Sequence, residues 1–168
     1  MRRGLCVDVP ADVDDVTAAA IANPGMSSWA ALVERAKLVQ GESVLINGAT
    51  GAAGRLAIQI AKHLGAKAVV VTGRKPRDFE ALRALGADET IALTLPEGEL
   101  IDALRTAIER WDVAVVLDYL WGSPAQRIFD AIAANASGLQ APRIRFVQIG
   151  AIRARRFRSQ QACCVVPV

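Results

Sequence analysis

The stretch Ser43-Val-Leu-Ile-Asn-Gly-Ala-Thr-Gly-Ala-Ala-Gly54 constrains this chain more than any other, because an apolar run passes directly into a glycine-spaced turn that opens a helical pattern. Gly51 lets backbone approach an anion with no Cβ in the way. Gly54 lets the helix sit close to the strand, and the helix N-terminus offers unpaired N–H groups. The arrangement suits a dinucleotide pyrophosphate. Its spacing is Ala49-x-Gly51-x-x-Gly54, with alanine where the first glycine usually stands, and small-residue turns also join strands to helices for packing reasons alone. The residues that follow favour the ligand reading. Leu56, Ile60 and Leu64 recur at helical spacing beside Ala53, Ala57 and Ala61, Gly65 stops the pattern, and Lys67 to Thr72 reads as a second strand. Strand, glycine turn, helix and strand make a βαβ unit.

The same alternation continues along the chain. Residues 11 to 40 read as two helical pieces: Asp14 or Asp15 caps the first, Asn23-Pro24-Gly25 breaks it, and Trp29, Leu32, Val33 and Ala36 stripe the second. Arg77 to Leu85 carries Leu82 and Leu85 on one helical face, and Glu89 to Leu93 reads as a short third strand. Pro96 starts a helix through Arg110 with Leu100, Leu104 and Ile108 in register, and Val113 to Leu117 is a fully apolar strand of the buried parallel type. A helix from Pro124 to Ala136 and a strand from Arg143 to Ile149 complete the pattern. Five strands with right-handed crossovers predict an α/β fold, a doubly wound, Rossmann-type parallel sheet, with its ligand outside the carboxyl ends of the strands. The expected organisation is a helical junction over 1–40, the nucleotide-binding domain over 41–152 and a basic tail over 153–168.

With 168 residues, 52% of them apolar, the chain can bury one good core but not two large ones. Asp8 and Pro10 interrupt the N-terminal segment before a signal-peptide core forms, and no apolar run reaches the length of a membrane span. Cytoplasm is the expected compartment. Arg153, Arg155, Arg156 and Arg158 in the tail more than account for the net charge of +3, and no aromatic platform accompanies them, so no nucleic-acid partner is expected. Cys6, Cys163 and Cys164 lack metal-ligand spacing, and His63 is the sole histidine, inside the helix after the turn, so no metal site is expected. A Ser/His/Asp hydrolase would need a nucleophile elbow, and none is present.

The second strand ends in Thr72-Gly73-Arg74-Lys75, about twenty residues beyond the glycines, where an acid would bond the ribose 2′-OH of NADH and repel a 2′-phosphate. Here the position is basic. Gly73 leaves room, Arg74 offers a planar fork and Lys75 a point charge to a phosphate monoester, so NADPH is favoured; the alternative is that both are solvated loop charges.

Several segments, taken in order, resemble the medium-chain dehydrogenase/reductases, specifically their zinc-independent quinone oxidoreductase branch. These are Pro24-Gly-Met-Ser-Ser-Trp-Ala-Ala-Leu32, Val44 to Gly54, Leu85-Gly-Ala-Asp-Glu89, Asp112 to Asp118 and Phe146-Val-Gln-Ile-Gly-Ala151. The resemblance spans about residues 8 to 151. It implies that Ala49, Thr50, Gly51, Ala52, Ala53 and Gly54 present the pyrophosphate turn, and that Gly150-Ala151 passes close to the nicotinamide. It also places Ser27 where the family has a threonine near the cofactor, although a helix-capping serine would explain that residue too. Tyr119, with Leu120 and Trp121, stands in a loop that borders the adenosine in this reading, while packing accounts for the aromatics equally well. The implied reaction is hydride transfer from NADPH to a small-molecule quinone, activated alkene or carbonyl, with no catalytic side chain assigned. The family places a substrate domain before the segment that opens this chain and a sixth strand after Ala151. A truncated product, or a non-catalytic dinucleotide-binding or interaction module, is therefore the competing expectation, and an unprotected fifth strand predicts self-association through the sheet edge.

Overall fold

The computed structural model describes residues 8–135 and 143–150. Strands β1 (Ser43–Asn47), β2 (Val69–Gly73), β3 (Glu89–Ala92), β4 (Val113–Asp118) and β5 (Arg145–Gln148) form one parallel sheet in the order β3-β2-β1-β4-β5. Helices α1 (Asp15–Ala30), α2 (Ala52–His63), α3 (Phe79–Ala84), α4 (Glu97–Trp111) and α5 (Ser123–Asn135) cover its two faces. This is the expected doubly wound α/β architecture. Strand order reverses between β1 and β4, which places the topological switch point at the carboxyl end of β1.

Side-chain alternation divides the core in two. Val44, Ile46, Val69, Val71, Val115 and Leu117 face α2, α3 and the segment after α1, whereas Leu45, Val70, Val113 and Val116 face α4 and α5. Every residue of β1 and β2 is buried, as a parallel sheet covered on both faces requires. On α4 the stripe is Leu100, Leu104, Ala107 and Ile108, all buried. Each such large side chain contributes about 1.5–3 kcal/mol by leaving water.

The N-terminal segment departs from the expected two pieces. Asp14 does cap α1, its carboxylate accepting from the Thr17 amide at 2.9 Å and hydroxyl at 2.6 Å, but Pro24 lies inside the helix instead of breaking it. The proline removes only the bond to the Ala20 carbonyl, and Ala20 is an exposed residue where water can meet that oxygen. Ser27 and Ser28 hydroxyls donate to the Pro24 carbonyl at 2.9 and 3.0 Å. A π turn, Ala31–Arg35, then carries Leu32 into the core, while Trp29 remains 45% exposed. Smaller differences are at element ends. β2 begins at Val69 because the Lys67 amide donates to the Glu42 carbonyl outside the ladder. Residues 76–78 form a 3-10 turn ahead of α3, and β5 is limited to Arg145–Gln148.

At the amino ends of the strands, Arg145 pairs with Glu42 and donates to the carbonyls of Ala36 and Lys37 at 2.8 and 3.2 Å, fastening β5 to the segment before β1. At the opposite ends the determining contact is between α2 and β1. A Cβ on Gly54 would lie 2.5 Å from the Ala49 Cα and 2.9 Å from the Gly48 carbonyl oxygen, both backbone atoms with no freedom to yield. Gly54→Ala is therefore expected to lower unfolding free energy by about 2 kcal/mol or more, as overpacking against rigid backbone does. A chemical-denaturation midpoint equal to that of the unsubstituted protein would contradict this packing.

Candidate functional site

A cleft of about 310 Å³ opens at the switch point, lined by Gly48, Thr50, Gly51, Ala52, Ala53, Gly54, Gly73, Arg74, Leu93, Tyr119 and Leu120. Its floor is the first turn of α2. Gly51 is the N-cap, with no side chain capping the helix, so the positive end of the helix dipole faces the cleft. Gly51 has an ordinary extended backbone (φ −78°), and a Cβ there would meet nothing within 4 Å. Neither conformation nor packing within the described protein calls for glycine at this position. Gly48 differs: its φ of +89° and the Leu120 side chain 2.7 Å from a would-be Cβ both exclude a larger residue.

Behind the cleft, a polar row crosses the carboxyl ends of three strands. Asn47 pairs in register with Thr72 on β2 and Asp118 on β4, and all three are fully buried. The Asn47 amide donates to Asp118 Oδ1 at 2.8 Å, Thr72 Oγ1 donates to Asn47 Oδ1 at 2.6 Å, and the Gly48 amide donates to Thr72 Oγ1 at 3.1 Å. The Asp118 carboxylate also accepts the amides of Leu120 and Trp121 at 3.1 Å, while its backbone carbonyl accepts those of Ile149 at 2.7 Å and Gly150 at 3.2 Å. These bonds fix both loops that flank the cleft. They also hold Trp121 at φ +57°, an unfavourable conformation for a bulky residue. Burial pushes the Asp118 carboxyl above its ordinary value of 3.8, against the opposing pull of its hydrogen bonds.

Of the residues singled out from sequence, Thr50, Gly51, Ala52, Ala53, Gly54, Gly73, Arg74 and Tyr119 come together in the cleft lining. Ala49 is wholly buried beneath it, donating its amide to the Thr72 carbonyl at 3.0 Å. Thr72 belongs to the polar row, so its hydroxyl serves the scaffold. Lys75 is exposed beside the cleft without lining it, and neither Arg74 nor Lys75 forms an ion pair with a described residue. Ser27 does not line the cleft; its hydroxyl is bonded to the Pro24 carbonyl, and the neighbouring Ser28 reaches toward the cleft instead. Gly150 packs its backbone against Tyr119, a would-be Cβ lying 2.5 Å from the Tyr119 carbonyl oxygen. Ala151 lies outside the described residues. Sequence reasoning passed over Asn47, Asp118 and Ser28. For the first two a signal existed, since each is a polar residue ending an otherwise apolar run, Val44-Leu-Ile and Val115-Val-Leu.

Comparison with known proteins places this geometry in a family. The family model described as "Zinc-binding dehydrogenase" matches residues 52–152. The Emericella nidulans protein named "Probable NADPH-dependent quinone reductase tdiC" is 33% identical over 141 residues, 82% of this chain and 38% of that relative. "Highly reducing polyketide synthase PKS6" of Gibberella zeae is 30% identical over 151 residues, 89% of this chain and 6% of the relative. Among solved structures, JamJ enoyl reductase in its apo form superposes with a TM-score of 0.74 at 27% identity, covering 95% of this chain and 45% of that one. The chain thus spans less than half the length of each of these relatives. Among the described residues there is no group of three or more His, Cys, Asp or Glu side chains that could hold a metal ion. No helix among the described residues is long and apolar enough to cross a membrane.

The raised Asp118 value has a pH consequence. An acid whose folded value lies above its unfolded value contributes stability that is full below the unfolded value, about pH 3.8 here, and fades as pH rises through the folded one. Asp118→Asn removes that titration, so the melting temperature of the unsubstituted protein is expected to fall relative to the variant as pH climbs from 3.5 toward neutrality. A difference that stays constant or moves the other way would contradict the assignment.

Proposed function

The chain belongs to the zinc-binding dehydrogenase family, as the nucleotide-binding part of a medium-chain dehydrogenase/reductase, a family of oxidoreductases, and on that premise we propose that its cleft binds NADPH for hydride delivery to a quinone or electron-poor alkene or carbonyl. Gly51 carries the reading. A glycine that the fold itself does not need, at an uncapped helix N-terminus facing a cleft, is accounted for by a ligand whose phosphates come within backbone distance. The amides at the start of α2 hold the pyrophosphate, and the turn from Thr50 to Ala53 wraps it. Arg74, in the lining, meets the 2′-phosphate with its planar fork, and Lys75 adds charge from beside it. Gly73 is accounted for by packing, since a would-be Cβ there would lie 2.9 Å from the Thr50 methyl and 3.0 Å from Phe79. Gly150 belongs to the nicotinamide side.

NADPH supplies the hydride when bound. The chain's own contribution is to fix the dinucleotide along the carboxyl edge of the sheet and to neutralise its phosphates. The acceptor class is what a quinone reductase and an enoyl reductase have in common, an electron-poor double bond. In this reading the reaction is zinc-independent, the compartment is cytoplasmic, and the outer edge of β5 is where copies associate.

Calorimetric titration tests the cofactor assignment. NADPH is expected to bind more tightly than NADH, and Arg74→Ala with Lys75→Ala to weaken NADPH by about tenfold or more, the worth of charge-assisted bonds, while leaving NADH nearly unchanged. Gly51→Val is expected to abolish binding while lowering the melting temperature by only about 2–4 °C, since its Cβ meets nothing within 4 Å and the cost is that of a poorer N-cap residue. Folded protein that fails to bind at millimolar NADPH would overturn the proposal.

A further inference from the structure

Three elements converge on the Ser28 hydroxyl, which lies at 0% exposure on α1. Its oxygen is 3.0 Å from the Ala53 carbonyl in the first turn of α2, 3.0 Å from the Pro24 carbonyl within α1, and 2.7 Å from the Tyr119 hydroxyl just beyond β4. Proton counting assigns the directions. The carbonyls only accept, so Ser28 shares its single proton between them and its oxygen accepts from Tyr119, whose phenol is the donor. Burial raises the Tyr119 value above 10, which keeps that phenol protonated. Tyr119 and Ala53 both line the cleft, as does Gly51.

The backbone of the loop carrying Tyr119 is held by the sheet, its Tyr119 amide donating to the Asn47 carbonyl at 3.1 Å. Asp118 takes the Leu120 and Trp121 amides, and Leu120 lies over Gly48. The ring packs against the core beneath it, and the bond to Ser28 ties its hydroxyl to the first turn of α2. We infer that Ser28 and Tyr119 are a pair of positioning residues for the dinucleotide: the hydroxyl bridge sets the separation between the Tyr119 ring and the α2 amides, and so the fit of whatever phosphate bridge lies between them. This rests on the cofactor reading above and adds to it a specific determinant outside the glycine turn.

Tyr119→Phe keeps the ring and removes only the bridge, and Ser28→Ala removes its other half. Each single variant is expected to raise the NADPH dissociation constant about three- to tenfold, the worth of one neutral hydrogen bond, and the double variant no further than the larger single. Circular dichroism confirms that the variants are folded, and melting temperatures are followed in parallel. A scaffold role alone would lower the melting temperatures and leave the dissociation constants where they are, and that result overturns the inference. Effects on binding that simply add in the double variant overturn it too, because the two residues would then act independently. If the unsubstituted chain binds no NADPH, the cofactor reading itself fails and this one with it. If it binds and both variants bind equally well, only the pairing is wrong.

Discussion

The close approach of α2 to the end of β1 is the constraint on which the rest depends. With hydrogen in place of a Cβ at residue 54, the helix backbone lies against Ala49 and Gly48, and the first helical turn is brought to the sheet edge where strand order reverses. The anion-facing end of α2 follows from this contact. The helix is uncapped, so its amides and dipole are directed into the cleft, and Gly51 leaves the route to them clear. A longer side chain at residue 54 would lift the helix away and close no other contact in compensation.

A second layer of order lies directly behind. Burying Asn47, Thr72 and Asp118 together is costly unless each donor meets an acceptor, and the row satisfies this across three strands in register. Apolar residues at these positions would avoid the desolvation penalty on Asp118, but they would leave the amides of Gly48, Leu120 and Trp121 without their partners. The fold therefore accepts a buried acid, with a raised titration value, in exchange for two loops of defined shape. Those two loops form the rim of the cleft. The strained Trp121 backbone lies in one of them, held by the same carboxylate.

Much of this was legible in the residues. Apolar runs between turn residues located all five strands, and period-3.6 patterns the helices α2 to α5, because in a sheet covered on both faces burial dominates the choice of residue, as in Val113 to Leu117. The glycine spacing located the cleft, and Arg74 proved to line it. Pro24 was misleading for a local reason: its cost to a helix is one hydrogen bond and a clash, which an exposed preceding turn accommodates because water can meet the freed Ala20 carbonyl. Ser28 was not legible at all. A hydroxyl that joins α1 to α2 and to the residue after β4 depends on three elements meeting in space, and sequence separations of 25 and 91 residues leave no periodic trace.

The central claim, that the start of α2 grips a phosphate bridge, is most directly tested by amide resonances of ¹⁵N-labelled protein titrated with NADP⁺. The account expects the largest shifts at Ala52, Ala53 and Gly54, followed by Arg74 and Tyr119, and little change at the Arg145–Glu42 end of the sheet. Shifts that spare the α2 amides, or that centre on the opposite end of the strands, would contradict it.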